Sequence, residues 1–131
     1  MKKAQMIAGS LLGLLFMVFG ANFFLNFIPM PPPPPADSAP GMFFGAVYAS
    51  GFLAFVKVLE IAGGLLVAIP RTRVIGLLVL TPIIVNIIAF HAFITAGEGL
   101  FAPPVVLIAA LAVFLIWSHR KGVAALIADR G

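Results

Sequence analysis

Four long apolar stretches dominate the chain and leave few folds open to it. A membrane helix needs about 20 mostly apolar residues to cross about 30 Å of hydrocarbon. The stretches cover approximately residues 4–28, 45–69, 74–95 and 100–117, and a mixed polar tail follows at 118–131. We therefore predict an all-α integral membrane protein, with one domain built as an antiparallel four-helix bundle and a proline-rich outer loop.

Composition supports a membrane protein over a soluble or disordered one. The chain is 63% apolar and 9% charged, whereas soluble domains are about half apolar and about a quarter charged. Disordered chains are poor in apolar residues, so disorder is excluded as well. The chain has no cysteine, which excludes disulfides, thiolate nucleophiles and cysteine-ligated metal centres.

Basic residues predict the orientation in the membrane. With four spans, both termini and the loop between the second and third spans lie on one side. The basic residues on that side are Lys2, Lys3, Arg71, Arg73, Arg120, Lys121 and Arg130. The opposite loops contain no Lys or Arg, and their charged residues are Asp37 and Glu98. The positive-inside rule then places both termini in the cytoplasm. Topology explains the net charge of +4, so we expect no nucleic-acid partner. A cleaved signal peptide is the alternative for the first span, but its apolar run is too long for one.

The connection from Pro29 to Gly41 is the only low-complexity segment. Its five consecutive prolines, Pro31 to Pro35, predict a polyproline II rod of roughly 15 Å. The rod is interpreted as a rigid spacer, with a docking ligand for a partner as the alternative.

The segment after the prolines is too long for a single span. Asp37 or Ser38 is suited to cap the helix that follows. A helix from Ser38 to Ile69 would be about 48 Å long. We therefore expect either a short interfacial helix before Gly45, or a bend at Gly45 or Gly51. The tail after Ser118 is predicted to lie along the membrane surface.

Small residues indicate where the helices pack. Gly9 and Gly13 form a GxxxG pair, and Gly20 continues the same stripe. Close contact between small residues holds membrane helices together. On the second span one face is predicted to point into the bundle, and it contains Ser50, Ala54, Lys57, Glu60 and Gly64.

Lys57 and Glu60 are the most informative residues in the chain. Each charge near the centre of a membrane helix costs about 2.5–3.5 kcal/mol. At a spacing of three residues the two side chains are neighbours and can pair. We predict that they pair inside the bundle or beside water, either to fix the packing register or to serve function.

Other polar side chains are predicted to line the outer side of this pair. They are Asn22, Asn26, Asn86 and His91. One interpretation is a structural hydrogen-bond network, and the other is a ligand pocket, a proton path or a contact with a redox cofactor. Asn86 and His91 share a cavity only if Pro82 distorts their helix. No metal site is predicted, since a single buried histidine cannot form one.

Three runs of residues resemble the DoxX-like family of small bacterial membrane proteins. The run from Gly20 through Asn22, Asn26 and Pro29 to Pro33 resembles that family's exit from the first helix. A second run resembles the family's second-helix motif and reads Val56-Lys-Val-Leu-Glu-Ile-Ala-Gly-Gly-Leu-Leu. A third run resembles the family's third-helix motif and reads Pro82-Ile-Ile-Val-Asn-Ile-Ile-Ala-Phe-His. The likeness extends over roughly residues 11–117. It implies a four-helix protein of the bacterial inner membrane.

The resemblance also implies several roles. Family members include subunits of a thiosulfate:quinone oxidoreductase and proteins linked to membrane thiol-redox complexes, and distant relatives are chaperones of receptor assembly. Our leading hypothesis is a non-catalytic accessory protein that binds a membrane-protein partner or a second copy of itself. The alternative is a subunit that binds a quinone or a lipid-like ligand, with no other cofactor, and a third is transport of protons or small solutes.

Overall fold

The computed structural model describes residues 1–128, so Arg130 lies outside the described part of the chain. Every regular element among these residues is helical. Six α-helices follow one another: α1 (Lys2–Leu25), α2 (Ala39–Ala49), α3 (Phe52–Ala68), α4 (Arg73–Ala89), α5 (Pro103–Ser118) and α6 (Arg120–Ile127). A 3₁₀ turn (Pro70–Thr72) joins α3 to α4, and a π-helical turn (Phe90–Ile94) extends α4.

Two continuous helical stretches, Lys2–Leu25 and Pro70–Ile94, are long and apolar enough to cross a bilayer. Two bent pairs meet the same criteria when each is taken together, namely α2 with α3 and α5 with α6. By length and composition, the described residues therefore provide two helices able to span a membrane, or up to four if each bent pair is one span. The protein is a membrane protein whose described residues form helices alone as regular elements.

Helices α1, α3, α4 and α5 pack around a common core. The pairs in contact are α1 with α3, α3 with α4, α4 with α5, and α5 with α1. The innermost side chains come from all four helices and include Leu12, Val67, Leu77, Leu80 and Leu115. Because only a short turn joins α3 to α4, these two neighbours run antiparallel.

Glycines allow the backbones of α1 and α3 to touch. A methyl group built on Gly64 would lie 2.6 Å from the Gly13 carbonyl oxygen and 3.1 Å from the Met17 nitrogen. Gly63 and Gly76 make a similar approach between α3 and α4. The stripe of Gly9, Gly13 and Gly20 is buried along its length, which confirms its prediction as a packing face.

The second apolar stretch is broken, as the length argument predicted. Helix α2 ends at Ala49, and α3 begins at Phe52 at an angle of 81° to it. Gly51 lies at the break with φ +83°, a conformation that side-chain-bearing residues rarely adopt. The Ser38 hydroxyl caps α2 by accepting a hydrogen bond from the Gly41 N–H at 3.1 Å, which confirms the predicted cap.

The break changes where the charged residues lie along the second span. The sequence suggested a span over residues 45–69 with Lys57 at its midpoint. The helix itself covers Phe52–Ala68, so Glu60 occupies its middle residue and Lys57 lies one turn nearer its N-terminal end. Ser50, predicted to share the inward face, is exposed at the break instead.

The last apolar stretch is also shorter than predicted. Residues 97–102 form turns, closed by the hydrogen bond from the Ala102 N–H to the Gly99 carbonyl oxygen at 3.0 Å. Helix α5 then begins at Pro103, with prolines in the first turn where no N–H is needed. After Ser118 the chain bends by 75° into α6.

Candidate functional site

Lys57 and Glu60 form an ion pair on α3. The Lys57 Nζ lies 3.3 Å from the Glu60 Oε2 and 3.4 Å from its Oε1. The Glu60 side chain is 7% exposed, whereas that of Lys57 is 23% exposed. The carboxylate is therefore enclosed, and the lysine covers it from its more open side.

Helix α1 closes the space beside this pair. A methyl group built on Gly20 would lie 3.1 Å from the Lys57 carbonyl oxygen and 3.5 Å from the Glu60 Cβ. A larger residue at position 20 would push α1 away and open the pair to its surroundings. The close packing and the buried charge thus depend on the same contact between α1 and α3.

The asparagines of α1 end that helix. The buried Asn22 accepts a hydrogen bond from the Ile28 N–H at 2.7 Å and donates one to the Ile28 carbonyl oxygen at 3.3 Å. Asn26 takes a left-handed conformation, and its N–H bonds the Asn22 carbonyl oxygen at 2.8 Å. Helix α1 therefore stops at Leu25, although the apolar run continues to Ile28.

Asn86 and His91 also bond within their own helix. The Asn86 Nδ2 donates to the Pro82 carbonyl oxygen at 3.0 Å. The His91 Nδ1, in the π-helical turn, donates to the Ile87 carbonyl oxygen of α4 at 2.8 Å. Both side chains therefore bond a backbone carbonyl four residues earlier in the chain.

The structure brings together Lys57 and Glu60 but not the wider cluster predicted around them. Within residues 1–128, no hydrogen bond joins the pair to Asn22, Asn26, Asn86 or His91. Asn26 and Asn86 are exposed rather than directed into the core. Backbone groups in the same segment provide Asn22, Asn86 and His91 with nearer partners.

Arg73 is a buried polar residue, although the sequence indicated only a place in the basic loop between the second and third spans. It is 3% exposed, and its Nε donates to the Val67 carbonyl oxygen at 2.8 Å. It thus caps the end of α3, with its guanidinium packed against Gly9 of α1. The position of a basic residue just beyond a helix end, opposite a glycine stripe, was the signal available.

Asn86 lies on an outward face of α4. Exposed residues recur along this helix at helical spacing, at Ile75, Leu78, Pro82, Val85, Asn86 and Phe93. Pro82 is the middle residue of the stretch Pro70–Ile94, so Asn86 lies about 6 Å from the middle along the helix axis. Pro82 also has no N–H to donate to the Leu78 carbonyl oxygen. We call the surface formed by the six exposed residues Ile75, Leu78, Pro82, Val85, Asn86 and Phe93 the Asn86 face.

Two surface cavities accompany these features. One of about 460 Å³ lies beside the bend between α5 and α6. The other, of about 860 Å³, is an apolar groove lined mainly by residues of α5, with Ile88 of α4, Leu100 and Phe101 at its side. Neither includes Lys57 or Glu60 in its lining. No cluster of three metal-ligating side chains forms among residues 1–128.

Comparison of the chain with protein-family models, with curated proteins and with solved structures gave no match.

Proposed function

We propose that this protein is an accessory subunit of the bacterial inner membrane that binds the transmembrane helix of another membrane protein through the Asn86 face. Its helices α1, α3, α4 and α5 form an antiparallel four-helix transmembrane bundle with both termini in the cytoplasm. The resemblance to DoxX-like proteins supports this architecture, and the grouping of cations supports the orientation. The Lys57–Glu60 pair holds α3 in register and takes no part in catalysis.

The observation that carries this proposal is the exposed amide of Asn86. The Asn86 Nδ2 donates to the Pro82 carbonyl oxygen, but at the depth of the hydrocarbon the exposed amide oxygen and the Leu78 carbonyl beside Pro82 have no water to bond. In membrane proteins such groups are commonly satisfied by hydrogen bonds from a neighbouring helix. Apolar residues surround Asn86 on its face, so a partner helix would find both packing surface and a polar anchor there.

The first prediction concerns the amide itself. Asn86→Leu removes the polar anchor but keeps an apolar surface, so the bundle should fold as before. We expect about tenfold less partner to co-purify after extraction in a mild detergent, because an interhelical hydrogen bond contributes about 1–2 kcal/mol. The readout is the stoichiometry of the extracted complex, measured by mass spectrometry.

Two variants control this experiment. Val58→Leu changes an exposed residue of α3 and should leave the complex intact, while Asn86→Gln retains an amide and should preserve most of the binding. If the partner is a second copy of this chain, mass spectrometry would detect a homo-oligomer instead of a complex of two different proteins. Recovery of a monomer from the unmodified protein would refute the proposal.

A second candidate function is binding of a quinone or another lipid-like molecule. The apolar groove along α5, of about 860 Å³, favours it because pockets for small ligands are concave and mostly apolar. The groove does not adjoin the Lys57–Glu60 pair, so this pair would not contact such a ligand. Mass spectrometry of the purified protein should detect a bound quinone or lipid, and persistent absence of both would exclude this candidate.

A further inference from the structure

The smaller cavity lies at the end of the bundle that carries the basic residues. It is lined by residues 117–122 together with Met1. Two contacts attach this region to the bundle: Gln5 of α1 donates to the Ser118 carbonyl oxygen at 3.4 Å, and Gly122 faces Val74 at the start of α4. The cavity is therefore formed by the packed ends of the helices.

The charge in this cavity is positive. Arg120 and Lys121 both line it and are exposed, and among residues 1–128 no acidic side chain belongs to its lining. The Arg120 guanidinium lies 4.7 Å from the centre of the Trp117 ring and donates to the Trp117 carbonyl oxygen at 2.9 Å. The aromatic ring thus holds one of the two cations at the cavity wall.

The backbone adds a second source of positive potential. Residues 120–122 form the first turn of α6, and no side chain caps this turn within the described chain. Such a turn presents N–H groups and the positive end of the helix dipole, which together favour phosphate. Leu126 and Ile127 at the far end of α6 are exposed apolar residues, suited to lie in the surface of a bilayer.

We propose that this cavity binds the phosphate headgroup of an anionic phospholipid. Arg120, Lys121 and the first turn of α6 hold the phosphate, and the lipid chains continue into the bilayer along the apolar surface below. Trp117 lies at the boundary between the two, where aromatic residues are enriched in membrane proteins. A lipid rather than free phosphate is the occupant because the cavity adjoins both exposed cations and lipid-facing apolar residues.

Trp117 is the only tryptophan in the chain, so its fluorescence reports on this site alone. The full-length protein is reconstituted in phosphatidylcholine vesicles that contain increasing fractions of brominated phosphatidylglycerol or, in parallel, brominated phosphatidylcholine. For each lipid the measured quantity is the fraction of brominated lipid that gives half-maximal quenching. We expect this fraction to be about five times or more lower for phosphatidylglycerol than for phosphatidylcholine. Each cation near a membrane surface changes lipid affinity about fivefold.

Substitutions separate this site from general attraction to a basic surface. Lys121→Gln leaves the contact between Trp117 and Arg120 intact. It should reduce the preference for phosphatidylglycerol over phosphatidylcholine about fivefold, so that the two lipids quench almost equally. Arg71→Gln removes the same charge from the exposed loop before α4 and should retain most of the preference. Circular dichroism confirms that each variant is folded before quenching is measured.

Three results would overturn the proposal. The first is equal quenching by the two brominated lipids in the unmodified protein. The second is an equal loss of preference in Lys121→Gln and Arg71→Gln, which would indicate surface charge alone. The third is full displacement of the brominated lipid by inorganic phosphate at millimolar concentration, which would identify a site for the free anion.

Discussion

Substitution of Lys57 by methionine should destabilise the protein by about 3–5 kcal/mol. The Glu60 carboxylate is enclosed, and removal of one partner from a buried ion pair leaves the other charge without compensation. Glu60→Gln should cost less, because the lysine that remains is 23% exposed and can turn its ammonium group toward the surroundings. The measurement is equilibrium unfolding in mixed micelles with increasing dodecyl sulfate, followed by circular dichroism.

The double variant Lys57→Met/Glu60→Met tests the pair as a unit. Two apolar residues of similar volume should restore stability to within about 1 kcal/mol of the unmodified protein, because the desolvation cost of both charges is removed together. Val58→Met, on an exposed part of the same helix, should have little effect. Additive losses in the double variant would show that the two side chains do not depend on each other.

A single methyl group at Gly64 should destabilise the packing of α1 on α3 by about 1–3 kcal/mol. Such a group would lie 2.6 Å from the Gly13 carbonyl oxygen, and a backbone oxygen cannot rotate away as a flexible side chain can. Gly64→Ala is therefore expected to unfold at a lower dodecyl sulfate fraction than the unmodified protein. The same titration provides the measurement.

Gly45→Ala is the matched control for this prediction. A methyl group there meets nothing within 4 Å, and alanine favours a helix over glycine by about 1 kcal/mol. Its stability should be unchanged or slightly higher. A methyl group on Gly13 would contact Gly64 and Ala68. The losses of stability caused by Gly13→Ala and Gly64→Ala should therefore be less than additive in the double variant. A Gly64→Ala protein as stable as the Gly45→Ala protein would contradict the close contact described above.

Much of the fold was predictable because the bilayer limits the alternatives. Apolar length indicated the membrane-spanning helices, the glycine stripe indicated the packed face of α1, and the excess length after Ser38 indicated the bend now seen at Gly51. The Lys57–Glu60 pair followed from helical spacing and from the cost of an isolated charge. Each of these features follows from a local rule whose violation would cost the fold a large free energy.

The arrangement of the remaining polar residues was not predictable in the same way. Asn22 and His91 were predicted to line the outer side of the Lys57–Glu60 pair, but each bonds a backbone group four to six residues away in its own segment. Arg73 was counted only among the basic residues of the cytoplasmic side, whereas its guanidinium caps α3 and packs against Gly9. Side-chain bonds to the local backbone depend on helix-end geometry, which sequence patterns specify only loosely.

Photo-cross-linking in native membranes tests most directly whether the Asn86 face binds a partner helix. A photoreactive residue is placed at Val85 on this face or at Val58 on the outer surface of α3, both of which are exposed. The proposal predicts one protein adduct of defined mass from position 85, its loss when Asn86→Leu is added, and no such adduct from position 58. The same adduct from both positions, or none from position 85, would contradict it.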